Sequence, residues 1–460
     1  MDGSPPPLTT ARATGRRTLT LVTLCLAVLV AQVDTAIVNL AVRPIGAYFG
    51  ASVGALQWVV DSYNLVYAVL LLTGGLLADL KGRRLIFMIG AATFTAASLA
   101  CAFAPSIGVL IAGRAVAGVG AALLIPASLA IIRVVWPDPA ERGRALGIWA
   151  ACNGLALAIG PTLGGILIHQ YGWRSIFLVV VPFGLAALIL ALRAVPESAD
   201  PQDRHFDASA QILGAVALGS VAFAAIQFHA APSVAAGAII VSFVALAWFI
   251  KVEDRRGAAA LVPLDIFQVS AFRGAITATA GMTFGMYGTL FLLPLTWQST
   301  GRFGATNAGL ALMPMALVFV VVSPFSGELA RRLGVRFMTS GGVSIIGFGL
   351  LLIGVSAYRT SILPTEIGLA LTGFGMGLAT GPLTGAAVGA VIAARAGTAA
   401  ALINVARMAG ATVGVAVLGA VFALLRGGLG GLQTAMIFGG LVQIACAAIA
   451  WRQGGFRIRA

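Results

Sequence analysis

Apolar residues run along this chain in stretches of about twenty or more, separated by short knots of Arg, Asp, Pro and Gly. A helix needs about 20 mostly apolar residues to cross the hydrocarbon core of a bilayer, so each stretch predicts one span. The spans fall at 18–42, 54–78, 85–104, 107–132, 144–168, 174–193, 210–229, 234–251, 272–297, 306–329, 337–357, 362–392, 397–425 and 431–451. Transmembrane barrels are built from alternating segments of about ten residues, and nothing here alternates for long. The pattern predicts an all-α membrane protein.

Composition agrees. With 59% hydrophobic and 10% charged residues among 460, the chain lacks the polar surface to cover a water-soluble globule. The net charge of +14 is spread in ones to threes between apolar runs rather than gathered on one domain, which argues against nucleic acid as a partner. Among the basic residues only Lys81 and Lys251 are lysines, a bias that favours a bacterial source with a GC-rich genome. Cys25, Cys101, Cys152 and Cys446 sit inside apolar runs without paired spacing and read as small core residues. His169, His205 and His229 stand far from other ligand types, so neither metal nor cofactor is expected. The first apolar run is longer than a signal-peptide core of about 7–15 residues and reads as a retained first span.

Loop charge sets the expected orientation. With the N-terminus inside, the inner segments collect clusters such as Arg12, Arg16 and Arg17, then Lys81, Arg83 and Arg84, then Arg331, Arg332 and Arg336. The outer loops hold Arg43, Arg174, Arg302, Arg359 and Arg426. That bias puts both termini in the cytoplasm of a multi-pass plasma-membrane protein. An internal repeat supports the count: Gly75 to Arg84 aligns without gaps to Gly327 to Arg336, one after the second span and the other after the tenth. Two related six-helix bundles with two additional helices between them give fourteen spans. The expected organisation is a cytoplasmic tail at 1–17, a six-helix bundle at 18–195, a linker region with two inserted helices at 196–271, a second bundle at 272–451 and a tail at 452–460.

Several motifs carry chemistry. The loop after the second span reads Gly75-x-x-x-Asp79-x-x-Gly82-Arg83-Arg84, in which glycine permits a tight turn and Asp79 can accept from an Arg or from helix-end amides. The fourth span carries Arg114 in Leu110-x-x-x-Arg114-x-x-x-Gly118-x-Gly120-x-Ala122. An embedded Arg costs about 2.5–3.5 kcal/mol to insert, so it should face a cavity or an acid. In the fifth span Gly147, Ala156 and Gly160-Pro161-x-x-Gly164-Gly165 make a kinked face poor in side chains, on which a neighbouring helix can rock. The first span holds Asp34-Thr35-Ala36-Ile37-Val38-Asn39, the second Leu56-Gln57-Trp58 and Asp61, and the thirteenth Asn404-x-x-Arg407.

Together these segments resemble the major facilitator superfamily, and within it the fourteen-helix drug:proton antiporter branch and its methylenomycin A resistance-type exporters. Leu80 stands where the signature loop usually has a basic residue, with Lys81 one place later, and Ala36, Ala117 and Ala156 replace residues usual in their motifs. The resemblance implies the major facilitator fold and secondary export of small, mainly apolar or amphipathic compounds such as antibiotics, in exchange for protons. A symporter or a dedicated metabolite exporter of the same superfamily is the alternative. No G-x-x-x-x-G-K-[ST] loop points to nucleotide drive, and no catalytic or metal cluster at depth points to an enzyme. The expected partners are a small-molecule substrate, protons and membrane lipid, and the expected state is a monomer.

Depth groups the candidate residues. At about 1.5 Å per residue, Asp34 lies about 12 Å from the outer end of its span and Arg114 about 11 Å, with Asp61 at a similar depth, so the three can share one layer. On a helical wheel Gln32, Thr35 and Asn39 form one stripe and Asp34 points elsewhere, towards Arg114. Asp34, Asp61 and Arg114 are therefore the candidates for proton coupling. Asp34 is preferred as the carrier, and Asp61 is read as a shallower acid solvated near the outer mouth. Gln32, Asn39, Asn153, Asn404 and Arg407 are expected to line the substrate cavity. Gly75, Asp79, Gly82, Arg83, Arg84, Gly160, Pro161, Gly164 and Gly165 are expected to serve the conformational change.

Overall fold

The computed structural model describes residues 8–199, 208–228, 231–257, 260, 262–391 and 395–453. Its helices are α1 (Leu8–Phe49), α2 (Val53–Lys81), α3 (Arg83–Ala102), α4 (Ile107–Val135), α5 (Pro139–Tyr171), α6 (Ser175–Ala194), α7 (Ala208–Gln227), α8 (Pro232–Arg256), α9 (Ser270–Ser299), α10 (Ala305–Leu333), α11 (Val335–Val355), α12 (Leu363–Gly389), α13 (Ala396–Leu424) and α14 (Gly428–Gln453). Among the described residues there is no strand. Thirteen of these helices are long and apolar enough to cross a membrane, and α5, with 33 residues, covers the predicted fifth span. Each predicted span thus coincides with one helix.

The ends differ in instructive ways. The first helix continues through Arg43 and Pro44 to Phe49, so Arg43 lies on a helix face and not in a loop. A helix satisfies its own backbone polar groups, and one proline forfeits little when the remaining bonds persist. The tenth span is broken near Leu312 and again by a 3₁₀ turn at Ser323–Phe325, next to Pro314 and Pro324, each of which lacks a backbone donor.

Helices α1–α6 pack as one group and α9–α14 as the other. The groups meet where α2 packs on α13, α5 on α10 and α1 on α9. The inserted α7 lies across the α2–α13 seam: its Phe223 ring is 6.4 Å from that of Trp58, and Ala222 and Ile226 cluster with Ala416. Gln211 of α7 bonds Thr73 and the Val69 carbonyl of α2. Outside it, α8 packs on α7, with the Ser242 hydroxyl donating to Ala217 O at 2.8 Å. Its other faces expose Ile240, Phe243 and Trp248, an apolar surface suited to lipid. After α8, Asp265 pairs with Arg395 ahead of α13, and the guanidinium holds this carboxyl below its usual range.

The loop between α2 and α3 turns on Gly82, whose φ of 113° is unfavourable for any side chain. Asp79 Oδ1 accepts from Arg83 at 3.0 and 2.8 Å. The helix-end amides go to a different acid: Glu197 Oε1 and Oε2 accept from Arg84 N at 3.0 Å and Leu85 N at 3.2 Å, while Ser198 O accepts from Arg83 N at 2.8 Å. The chain leaving α6 therefore caps α3.

Candidate functional site

Helices α1, α2 and α4 bring one ion pair into the centre of the first bundle. Asp34 Oδ2 accepts from Arg114 Nη1 at 2.6 Å, with Asp34 1% and Arg114 2% exposed. Arg114 Nε donates to Val59 O at 3.2 Å. Its guanidinium carbon stands 4.5 Å from the centre of the Tyr63 ring and 6.0 Å from that of Phe177, which covers the cation with two aromatic faces. Because α1 overshoots its predicted end, Asp34 lies about 22 Å from the end of its helix, yet it meets Arg114 in the same layer. The second carboxylate oxygen, Oδ1, has no hydrogen-bond partner. This pair can separate charge, or lose it, when a proton arrives.

Asp61 departs from the expected solvated acid. It is 0% exposed and both carboxyl oxygens lack partners. Helical spacing puts Gln57, Asp61 and Asn64 on one face of α2, and that face meets α13. Gln57 Nε2 donates to Val415 O and Ala416 O, both at 3.0 Å, against Gly419, where a Cβ would lie 2.0 Å from the amide nitrogen. Asn64 is likewise enclosed without partners, as is the hydroxyl of Thr412, one turn back along α13. Nothing in sequence spacing marks Asp61 as buried, since its neighbour Gln57 already reaches a helix over three hundred residues away.

Further contacts between the bundles lie at the same end, where α1 and α9 finish and α10 begins. Gln298 Nε2 donates to Leu40 O at 3.0 Å, and the Thr306 hydroxyl donates to Gly165 O at 3.0 Å. A Cβ on Gly309 would lie 2.2 Å from Pro161 O, and one on Gly165 would lie 2.7 Å from Thr306 Cα. Gly160 and Gly164 face α1 instead, at 2.7 Å from Ala36 Cβ and 2.9 Å from Ile37 Cγ2 by the same measure. One glycine-rich helix therefore packs within its own bundle on one side and seals against the opposite bundle on the other. Beyond the seal a cleft of about 400 Å³ is lined by His169, Gln170, Thr306 and Asn307.

The expected cavity residues divide. Gln32, Asn404 and Arg407 are half-buried near the middle of their helices. Asn39 is enclosed, its Nδ2 donating to Thr35 O at 3.0 Å. The side chain of Asn153 lies outside the described residues. Arg407 Nη1 donates to Asn404 Oδ1 at 3.0 Å, and the titratable groups that act on it are the buried Tyr67 and Tyr287. Tyr67 in turn stacks 6.1 Å from Tyr63. A row of aromatic rings, Tyr63 and then Tyr67, thus leads along α2 away from the buried pair. The tyrosines of this row were not among the expected cavity residues; their positions inside apolar spans are the signal that could have found them.

A family model described as Major Facilitator Superfamily matches residues 24–415. Multidrug resistance protein Stp of Mycobacterium tuberculosis is 38% identical over 408 residues, 88% of this chain and 76% of that protein. The methylenomycin A resistance protein of Bacillus subtilis is 33% identical over 440 residues, 94% of this chain and 93% of that one. Multidrug efflux pump LfrA of Mycolicibacterium smegmatis is 31% identical over 424 residues, 92% of this chain and 83% of that one. Among solved structures, a POT family transporter in complex with thioalcohol conjugated peptide superposes with a TM-score of 0.71 at 14% identity, over 93% of this chain and 94% of that one. At that identity the likeness concerns the fold alone.

Proposed function

The chain belongs to the major facilitator superfamily, and from that membership we propose that it is a proton-coupled exporter of small, mainly apolar or amphipathic compounds such as antibiotics. It is a multi-pass membrane transporter rather than an enzyme, and relatives named as multidrug efflux and antibiotic resistance proteins support the direction of transport and the substrate class. The observation that carries proton coupling is the Asp34–Arg114 pair, enclosed at 2.6 Å inside the first bundle. An ionised acid survives there only beside its cation. With both termini in the cytoplasm, as loop charge favours, the sealed end is the outer one and the pair belongs to an inward-facing state.

The cycle follows from that placement. Opening of the outer seal admits a proton to Asp34 and dissolves its attraction to Arg114. Return to the inward-facing state releases the proton to the cytoplasm, restores the pair and lets the next substrate enter. Asp61 contributes at the seam: burying an unpaired carboxylate costs far more than burying the neutral acid, so α2 and α13 close over Asp61 in its protonated form. The proposed working unit is a monomer in a bacterial plasma membrane.

Transport in everted membrane vesicles under an imposed pH gradient tests this. Asp34→Asn should reach the membrane in normal amount and lose gradient-driven drug accumulation. If Asp34→Asn keeps wild-type transport and Asp61→Asn does not, Asp61 is the coupling acid.

A further inference from the structure

Arg407 lies within a membrane span and, among the described residues, has no carboxylate partner. It is near the middle of α13, half-buried, and it donates to a neutral amide, Asn404 Oδ1 at 3.0 Å. The groups acting on it are two phenols, Tyr67 of α2 and Tyr287 of α9. In the first bundle Asp34 is committed to Arg114 at 2.6 Å, and the Asp61 carboxyl makes no hydrogen bond to Arg407 or to any other described residue. A guanidinium cannot escape by losing its proton, and a lone cation in the membrane interior is costly to keep. Asn404 accepts a hydrogen bond from it without neutralising it.

Resting on the exporter reading, we propose that Arg407 is the substrate's charge partner and that the central site takes amphipathic anions, compounds with a carboxylate or acidic phenolate on an apolar body. The guanidinium presents a planar fork that matches a carboxylate. Tyr67 and Tyr287, both buried, offer hydroxyl donors to the same oxygens and ring faces to an apolar body. The site joins the two bundles, because Tyr67 belongs to one and Tyr287 and Arg407 to the other. An anion bound there draws α2 towards α9 and α13. A lipophilic cation meets an unshielded like charge and is disfavoured.

The test compares fluorescein, an anion, with ethidium, a cation, using wild type, Arg407→Gln and Arg407→Lys. Both uptake by everted vesicles and equilibrium binding to purified protein in nanodiscs are measured. Wild type should bind and accumulate fluorescein in preference to ethidium. Arg407→Gln should weaken fluorescein binding at least tenfold and leave ethidium binding unchanged or improved, while Arg407→Lys, which keeps the charge but loses the fork, should retain most of the anion preference. Equal loss of both dyes in Arg407→Gln, no loss of either, or a wild type that prefers ethidium would overturn the assignment. If Arg407→Gln does not reach the membrane, Arg407→Lys decides: a preference reversed towards ethidium despite the retained charge refutes it. Arg407-dependent fluorescein binding with no accumulation of either dye would leave the binding assignment standing and refute the exporter reading.

Discussion

At the scale of single residues, the buried pair and the enclosed Asp61 pose opposite problems. Asp34 and Arg114 satisfy each other, so removing one partner strands a charge: Arg114→Ala should destabilise the protein by about 3–5 kcal/mol, seen as a lowered thermal midpoint in detergent. Asp34→Asn with Arg114→Gln removes both charges and should recover much of that stability without recovering pH-driven transport. Recovery of transport in the double variant would show that the pair is structural only. The meeting of Asp34 with Arg114 was legible in the sequence because helix rise fixes depth and an embedded Arg requires an acid. The enclosure of Asp61 was not, because burial by helices distant in the chain leaves no mark in local spacing. Glu197 was equally silent, since a side chain that caps backbone amides leaves no pattern in sequence spacing.

At the scale of elements, glycine spacing on α5 announced a bare helix face but not that the face is shared between two neighbours. Gly160 packs 2.7 Å from Ala36 by the position of an added Cβ, within the first bundle, so Gly160→Leu should push α5 off α1 and slow turnover while substrate affinity stays near wild type. Loss of binding with normal turnover of the remaining sites would contradict a conformational role. The seam between α2 and α13 gives a complementary prediction. Gln57→Ala deletes two hydrogen bonds across the bundles, and interhelical bonds in membranes are worth about 0.6–2 kcal/mol each. The outward-facing population should rise by about 8–900-fold, measured as faster labelling of a cysteine placed at Thr412 by an impermeant reagent from outside the cell. Unchanged labelling would mean that packing against Gly419, and not the hydrogen bonds, holds the seal.

At the scale of the whole molecule, the succession of spans was legible because each needs its own apolar run, and thirteen helices are long and apolar enough to cross a membrane; the repeat of the signature loop is what predicts two helices between the bundles. Where those helices pack was not legible, since α7 and α8 are apolar on several faces and only the folded bundles decide which seam they cover. Orientation is the remaining whole-molecule property, and the link from α6 into the insert tests it. Ser198 sits where this link docks on the loop between α2 and α3, its carbonyl accepting from Arg83 N at 2.8 Å. If α6 ends in the cytoplasm, as the clustering of Arg and Lys at this end of the bundles favours, a cysteine at Ser198 in a cysteine-free background should stay unlabelled by an impermeant maleimide applied to intact cells. It should label once the membrane is permeabilised, and in everted vesicles without permeabilisation. The substitution costs little, because Glu197 and not the Ser198 side chain caps the α3 amides. Strong labelling from outside intact cells would place the link on the outer face, reverse the assignment of the sealed end, and with it turn the proposed inward-facing state into an outward-facing one.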